Sequence, residues 1–445
     1  MEALPQFLWR TEYFGGILYN KKAVQAEPIT QPTWDLLMGV QKGESGKLTL
    51  ENALRVSKNT DLRKIVSWLQ EIGALDKEFN LQGEIYAPPY PLIKNTICAP
   101  LRAYLHITDG CNLRCDHCMF ACGKRVENEL NTEQLIEVIK ILREVRCPEL
   151  RITGGEPTIR KDLFLITQRA KDLGMYVMLN TNGTYGDKIR KKLICSGIDA
   201  IIMSLDGLQK NHEKRRGKNT FQNVMGTIKF LSDHNQRVST NDKIDTTVNF
   251  TFGRSNLKDF EGVAKLCARY GINVNLMPLR PFGTTKVRLM DDMLTPEEFM
   301  SFTQKVMEIR KDKEIVDSGI KIIHKNFDLF SEDPGVDHLP VPFDHSSCGA
   351  GGLGIGINPD GRINICGFLA KIPEFVGSNI LEAPFYDVWF SPVMHSFRTV
   401  IKRHCEPCPY YRKQCFGACK AMAYAAIGDM GSIDRYCFVH LLNKK

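Results

Sequence analysis

At 445 residues the chain is too long for one ordinary hydrophobic core, so two or three domains are expected. Its 43% hydrophobic and 25% charged residues exclude wholesale disorder, and no stretch approaches the roughly 18 apolar residues of a membrane helix. A net charge of +8, with Lys and Arg scattered apart from Lys214-Arg215-Arg216, gives no basis for a nucleic-acid partner or a membrane partner. The opening Met1-Glu2-Ala3-Leu4-Pro5 lacks a basic region followed by an apolar run, so no secretory signal is expected. Fifteen cysteines without such a signal point to a reduced, cytoplasmic setting and to metal or redox chemistry rather than disulfides.

Residues 1–95 contain no cysteine and read as a small domain of their own. Phe14–Asn20 and Lys22-Ala23-Val24 predict a β-hairpin with a polar turn. A helix follows from Thr33, and a clearer one from near Asp61 places Leu62, Ile65, Val66, Leu69 and Ile72 on one face, ending at Gly73. Pro88, Pro89 and Pro91 mark a linker. Residues 96–285 then alternate strand and helix. The strands are Ala103–Thr108, Leu150–Thr153, Tyr176–Leu179, Ala200–Ser204, Thr246–Phe252 and Asn273–Met277, with helices such as Thr132–Arg146, Phe221–Leu231 and Leu257–Ala268 between them. Six strands that each feed a crossover helix argue for a parallel sheet curled into a barrel or partial barrel, with chemistry at the strands' carboxyl ends. Residues 286–341 read as a connecting segment with a helix near Pro296–Arg310, and residues 342–445 gather seven cysteines.

Cys111-x3-Cys115-x2-Cys118 comes directly after the first barrel strand. Three thiolates on one short loop can hold three irons of a [4Fe–4S] cluster and leave the fourth without a protein ligand; the alternative is a zinc site lacking one ligand. Gly154-Gly155-Glu156-Pro157 ends the second strand, where glycines admit a close ligand and a carboxylate can bind an ammonium. Asn180-Thr181-Asn182-Gly183 ends the third strand, Ser204-Leu205-Asp206-Gly207 ends the fourth, and Arg216 follows in the next loop. One rim thus carries a cluster loop, an ammonium site, hydroxyl and carboxylate groups and a guanidinium, a set suited to a zwitterionic amino acid bearing a nucleoside. No side chain stands out as a catalytic acid, base or nucleophile.

On Cys111, Cys115 and Cys118 and on Gly154-Gly155-Glu156-Pro157, the chain resembles the radical S-adenosylmethionine superfamily. The resemblance implies a partial (β/α)6 barrel in which S-adenosylmethionine chelates the open iron. One electron then breaks a C–S bond and gives a 5′-deoxyadenosyl radical. It implies His117 beside the adenine, Gly154, Gly155 and Glu156 at the amino group, and Ser204 and Arg216 at the carboxylate, with Arg215 as the rival of Arg216. Cys348-x12-Gly361-x4-Cys366, then Cys405-x2-Cys408-x6-Cys415-x3-Cys419, then Cys437, resembles a SPASM domain, although the family more often has five residues before Cys415. The resemblance implies that Cys348, Cys366 and Cys419 hold a first auxiliary [4Fe–4S] cluster, and that Cys405, Cys408, Cys415 and Cys437 hold a second. Seven thiolates are one short of eight, so one iron is open or closed by Asp344 or His345; paired zinc sites are the plainer alternative.

Hairpin plus helices in residues 1–95 resembles the winged-helix-like α+β element that binds leader peptides, in which the leader adds as a strand. The expectation for the whole is an α/β enzyme with three [4Fe–4S] clusters and S-adenosylmethionine, served by an electron donor such as flavodoxin or ferredoxin. It would act on a ribosomal precursor peptide, forming a thioether or carbon–carbon cross-link. An epimerase using Cys122 as hydrogen donor, a sulfatase-type maturase and a zinc-bearing binding protein are the alternatives. Cys98, Cys122, Cys147, Cys195 and Cys267 otherwise read as small buried hydrophobes.

Overall fold

The computed structural model describes residues 2–56, 60–324, 349–411, 415 and 417–442. Asp344, His345 and Cys348 lie outside the described residues. The first domain is a four-stranded sheet of β1 (Phe7–Glu12), β2 (Gly15–Asn20), β3 (Gln25–Thr30) and β4 (Glu84–Tyr86), in the order β3-β2-β1-β4. Three helices accompany it: α1 (Gln31–Gly39), α2 (Glu44–Val56) and α3 (Thr60–Glu71). Trp9, Leu18, Ile29, Trp34, Leu37, Val66 and Leu69 form its core. The predicted hairpin is here, but its second strand starts at Gln25 rather than Lys22, and β1 and α2 were not read from the sequence. Gly73, with φ of +78°, closes α3 in the left-handed conformation expected of it.

Six parallel strands follow in spatial order: β5 (Arg102–His106), β6 (Glu149–Thr153), β7 (Tyr176–Thr181), β8 (Ala200–Ser204), β9 (Asp245–Phe252) and β10 (Asn273–Pro278). Between them run α4 (Thr132–Glu144), α5 (Leu163–Asp172), α6 (Asp187–Ile194), α7 (Gln209–Arg216), α8 (Thr220–Arg237) and α9 (Phe260–Arg269). α4 starts at a capping box in which Asn131 and Gln134 exchange bonds, and it buries Leu135, Val138, Ile139 and Leu142, the spacing of one helix face. Strand residues alternate. Leu105, Ile152, Leu179, Met203, Phe250 and Leu276 are fully buried beneath the helices, whereas Tyr104, Arg151, Asn180, Ser204, Asn249 and Asn275 keep partial exposure on the opposite, concave face.

Beyond the barrel come α10 (Thr285–Arg288), α11 (Pro296–Arg310), where the connecting helix was expected, α12 (Lys313–Ser318) and β11 (Ile322–Ile323), which pairs with β10. In the cysteine-rich tail, β12 (Gly354–Ile357) pairs in parallel with β5, followed by β13 (Arg362–Asn364) and β14 (Val376–Asn379). One ten-stranded sheet therefore runs from β11 to β14 across barrel and tail, over a shared core. Trp389 donates its indole N–H to the Ile97 carbonyl, and the Tyr436 hydroxyl bonds Leu279.

The first domain is also tied to the barrel. Arg10 and Glu12, each about 1% exposed, form an ion pair of 2.8 Å, and Glu12 accepts the Cys98 N–H at 2.7 Å while Arg10 donates to the Pro100 carbonyl. Arg146 reaches Glu84 at 2.7 Å. Cys98, Cys122, Cys147 and Cys267 are buried as expected of small hydrophobes, but Cys195 is exposed. Among the described residues no helix is long and apolar enough to cross a membrane.

Candidate active site

The loop after β5 carries Cys111, Cys115 and Cys118, all partly exposed, and is held from three directions. Gly123 and Asp109 clamp its base: the Cys111 N–H donates to the Gly123 carbonyl and the Gly123 N–H to the Asp109 carbonyl, both at 2.9 Å. From α7 on the fourth strand's side, the Arg215 carbonyl accepts the Asp116 N–H at 3.0 Å. From beyond β10, Thr284 donates its N–H to the Cys118 carbonyl at 2.9 Å and its hydroxyl to the Cys115 carbonyl at 3.1 Å. Gly283, with φ of +56°, makes that approach possible, since a Cβ there would sit 2.1 Å from the Cys118 carbonyl oxygen. Sequence reasoning missed Gly283 and Thr284; a Gly-Thr-Thr run just past the last strand was the available signal.

The second strand end packs backbone to backbone on the cluster loop. The Gly155 N–H donates to Thr108 at 2.7 Å and the Glu156 N–H to Gly110 at 2.8 Å. Glu156 is fully buried and its carboxylate faces inward: it accepts from the Thr158 N–H and hydroxyl, from the Thr181 hydroxyl at 2.8 Å and from the Asn182 N–H at 2.7 Å. Burial pushes its pKa above the ordinary carboxylate range, and these donors oppose that. Glu156 therefore ties β6 to the end of β7. Asn182 passes the connection on, donating to Asn112 in the cluster loop at 2.7 Å.

The fourth strand end supplies charge. Asp206, buried and two residues past Ser204, pairs with Arg216 and lies 3.0 Å from His117 Nε2. Burial would raise Asp206, but Arg216 and His117 hold it well below the ordinary range. Arg216 also lies 2.9 Å from His117 Nε2 and donates to the Cys115 thiol at 3.8 Å. Arg215 turns away, to the Thr251 carbonyl, Ser255 and Asp292, so of the two arginines Arg216 faces the cysteine loop. Ser204 is partly exposed on the concave face. His117 is 9% exposed and its Nδ1, itself buried, has no hydrogen-bond partner among the described residues, an orphan polar atom that a bound group could satisfy.

In the tail, the Cys405, Cys408, Cys415 and Cys437 thiols lie within mutual electrostatic reach, and burial pushes Cys405 up to about 11. Cys419 is buried, its N–H bonded to Asp434 at 2.9 Å, and Cys366 is partly exposed. Cys122 is buried behind the cluster loop, its N–H bonded to the Cys118 sulfur at 3.3 Å. A tetrahedral zinc with bonds of about 2.3 Å needs its sulfurs about 3.8 Å apart. Among the described residues, the one group of three or more possible metal-ligand side chains within 4.8 Å of one another is His106, Asp109 and Cys122. No three of the described cysteine thiols lie within that distance of one another.

Residues 105–275 match the Radical SAM superfamily, and residues 348–415 match SPASM, an iron-sulfur cluster-binding domain. The chain is a radical SAM enzyme with a SPASM domain. An AdoMet-dependent heme synthase of Methanosarcina barkeri is 28% identical over 76% of this chain and 96% of its own. The mycofactocin maturase MftC of Mycolicibacterium smegmatis is also 28% identical, over 73% and 79%. Among solved structures, Streptococcus suis SuiB bound to S-adenosylmethionine shares the fold over 98% of this chain and 99% of its own, at 16% identity and a TM-score of 0.69. SuiB bound to its precursor peptide SuiA superposes at 0.68, over 100% and 97%, at 15% identity. The radical SAM barrel thus carries the iron–sulfur and S-adenosylmethionine chemistry of its superfamily.

Proposed function

We propose that this enzyme modifies a ribosomally made precursor peptide, forming a thioether or carbon–carbon cross-link, in four units bounded at residues 95, 285 and 341. The observation that carries this reading is the first domain. The sequence matches to the heme synthase and to MftC span 76% and 73% of this chain, whereas the SuiB likeness in fold extends over 98% of it, first domain included. That domain offers β3 as an open edge strand to which a leader peptide can add. MftC is a maturase by name, and SuiB is seen with a precursor peptide.

When bound, the barrel cluster and S-adenosylmethionine supply a one-electron cleavage whose 5′-deoxyadenosyl radical removes hydrogen from the substrate. Cys111, Cys115 and Cys118 would hold the cluster. His117 Nδ1 would meet the nucleoside. Gly154 and Gly155 would present backbone to the amino group, a task Glu156 supports by fixing the strand ends. Ser204 and Arg216 would face the carboxylate, with Asp206 holding Arg216 in place. Cys405, Cys408, Cys415 and Cys437 would hold one auxiliary [4Fe–4S] cluster, and Cys366 and Cys419, together with Cys348, the other. Forming the cross-link would remove two hydrogens from the peptide, one as an atom and the other as a proton and an electron, and an auxiliary cluster held by these tail cysteines would supply an acceptor for that electron.

The test is anaerobic turnover with the full-length peptide encoded beside the gene. A product two hydrogens lighter, formed with one 5′-deoxyadenosine per turnover, supports the reading. An unchanged mass with deuterium taken up from solvent would show an epimerase, and turnover of a tetrapyrrole but no peptide would overturn the proposal.

A further inference from the structure

Behind the cluster loop lies a polar cluster that the proposed chemistry does not use. His106 closes β5, Asp109 follows three residues on, and Cys122 returns beside them after the loop; each is under a tenth exposed. His106 Nε2 is 3.2 Å from Asp109 Oδ1, and the Cys122 sulfur is 3.7 Å from the same oxygen and 3.9 Å from His106 Nε2. On the loop side the Cys122 N–H meets the Cys118 sulfur. On the far side Asp109 Oδ2 accepts from Lys371 Nζ at 2.5 Å, across 262 residues of sequence, and Lys371 belongs to the tail, five residues past Cys366. The tail presses on the same place elsewhere: a Cβ on Gly367 would sit 2.8 Å from Met119 and 3.2 Å from Phe120, whose ring stands edge-on to His106 at 4.5 Å.

Lys371 therefore brings one positive charge from the tail onto a carboxylate that sits one side chain away from a cluster thiol. Charge and hydrogen bonding around the ligand sulfurs set how readily an iron–sulfur cluster accepts an electron. An uncompensated carboxylate there opposes electron entry, and Lys371 cancels it. We infer that Lys371, Asp109 and Cys122 are positioning residues through which docking of the cysteine-rich tail raises the reduction potential of the barrel cluster. The inference rests on Cys111, Cys115 and Cys118 being the ligands of that cluster.

The experiment is an anaerobic redox titration of the reconstituted full-length enzyme, following the cluster signal that changes when S-adenosylmethionine is added. Lys371→Met is expected to shift the reduction equilibrium about tenfold toward the oxidised form, 59 mV for one electron. Lys371→Arg should restore it. Asp109→Asn should move it the other way, a reversal that general damage to the site would not produce. Cys122→Ser, which keeps a donor, should lie closer to wild type than Cys122→Ala. An unshifted potential in Lys371→Met with the signal intact, or the same direction of shift in Lys371→Met and Asp109→Asn, would overturn the inference. If the triple Cys111, Cys115, Cys118 to Ala variant keeps the signal, the ligand assignment fails rather than the relay.

Discussion

Gly155→Ala asks whether the close fit between the second strand end and the cysteine loop carries S-adenosylmethionine binding. An added Cβ would lie 2.2 Å from the Gly110 carbonyl oxygen, 2.7 Å from its carbon and 2.9 Å from the Asp109 oxygen, all backbone atoms that no rotamer change can move. The loops must part, and the bonds from Gly155 to Thr108 and from Glu156 to Gly110 lengthen or break. Two buried backbone bonds at about 1 kcal/mol each, plus about 1–3 kcal/mol of overpacking, give a cost of about 3–5 kcal/mol. Where the chain absorbs the strain by holding the loops apart, about 3 kcal/mol returns as roughly hundredfold weaker S-adenosylmethionine binding. Calorimetric titration of the reconstituted enzyme, alongside its thermal midpoint, reads both effects. Gly186→Ala is the control: its Cβ meets nothing within 4 Å, at a φ of −84°, so only the loss of about 0.5–1 kcal/mol from placing Ala at the N-cap of α6 is expected, with S-adenosylmethionine affinity unchanged. A Gly155→Ala enzyme with unaltered midpoint and affinity would refute the reasoning.

Arg216→Lys should weaken S-adenosylmethionine binding at least tenfold, because an ammonium cannot span Asp206, His117 and Cys115 as a guanidinium does; Arg215→Lys should instead lower the thermal midpoint and spare affinity. Comparing the two dissociation constants decides it. On the edge strand, Pro28 has no N–H to offer, which marks its side of β3 as outward, and Ala26 shares that side. Ala26→Pro should therefore reduce precursor-peptide affinity about tenfold by fluorescence anisotropy while S-adenosylmethionine affinity holds. Arg10→Met strands the buried Glu12 and should cost about 3–5 kcal/mol in denaturant unfolding, with Arg10→Met/Glu12→Leu recovering much of the loss. A double variant no more stable than the single would refute that account. Removing residues 1–95 outright would delete this pair and leave the Cys98 N–H and the Pro100 carbonyl without their partners, so point changes on β3 are the cleaner test of peptide capture.

The barrel was legible because buried parallel strands are short apolar runs separated by amphipathic helices, and Ala200–Ser204 appears with the bounds its sequence suggested. β1 was not, because Arg10 and Glu12 interrupt its apolar run, and only the fold shows that they satisfy each other in the interior. β12 was hidden for the opposite reason: Gly-Ile-Gly-Ile has little propensity of its own and becomes a strand by docking on β5. At the site, cysteine spacing marked the loop. Contacts distant in sequence, such as Thr284 on Cys118 or Lys371 on Asp109, leave no local pattern. The Glu156 carboxylate was read as a ligand group because a strand-end acid invites it; its burial among Thr158, Thr181 and Asn182 could not be seen from the motif.

The pairing of β12 with β5 also bears on how the chain is made. Arg102 meets Gly354 as its register partner, so at a synthesis rate of 5–20 residues per second the outer edge of β5 waits roughly 10–50 s for its neighbour to leave the ribosome. During that interval a barrel strand with unpaired backbone groups, beside a loop of three cysteines, is exposed to other nascent chains and to oxidants. Slower growth temperature and generous chaperone supply should raise the yield of intact enzyme, whereas supplying iron alone should not, because metal cannot cover a strand edge that the tail has yet to reach.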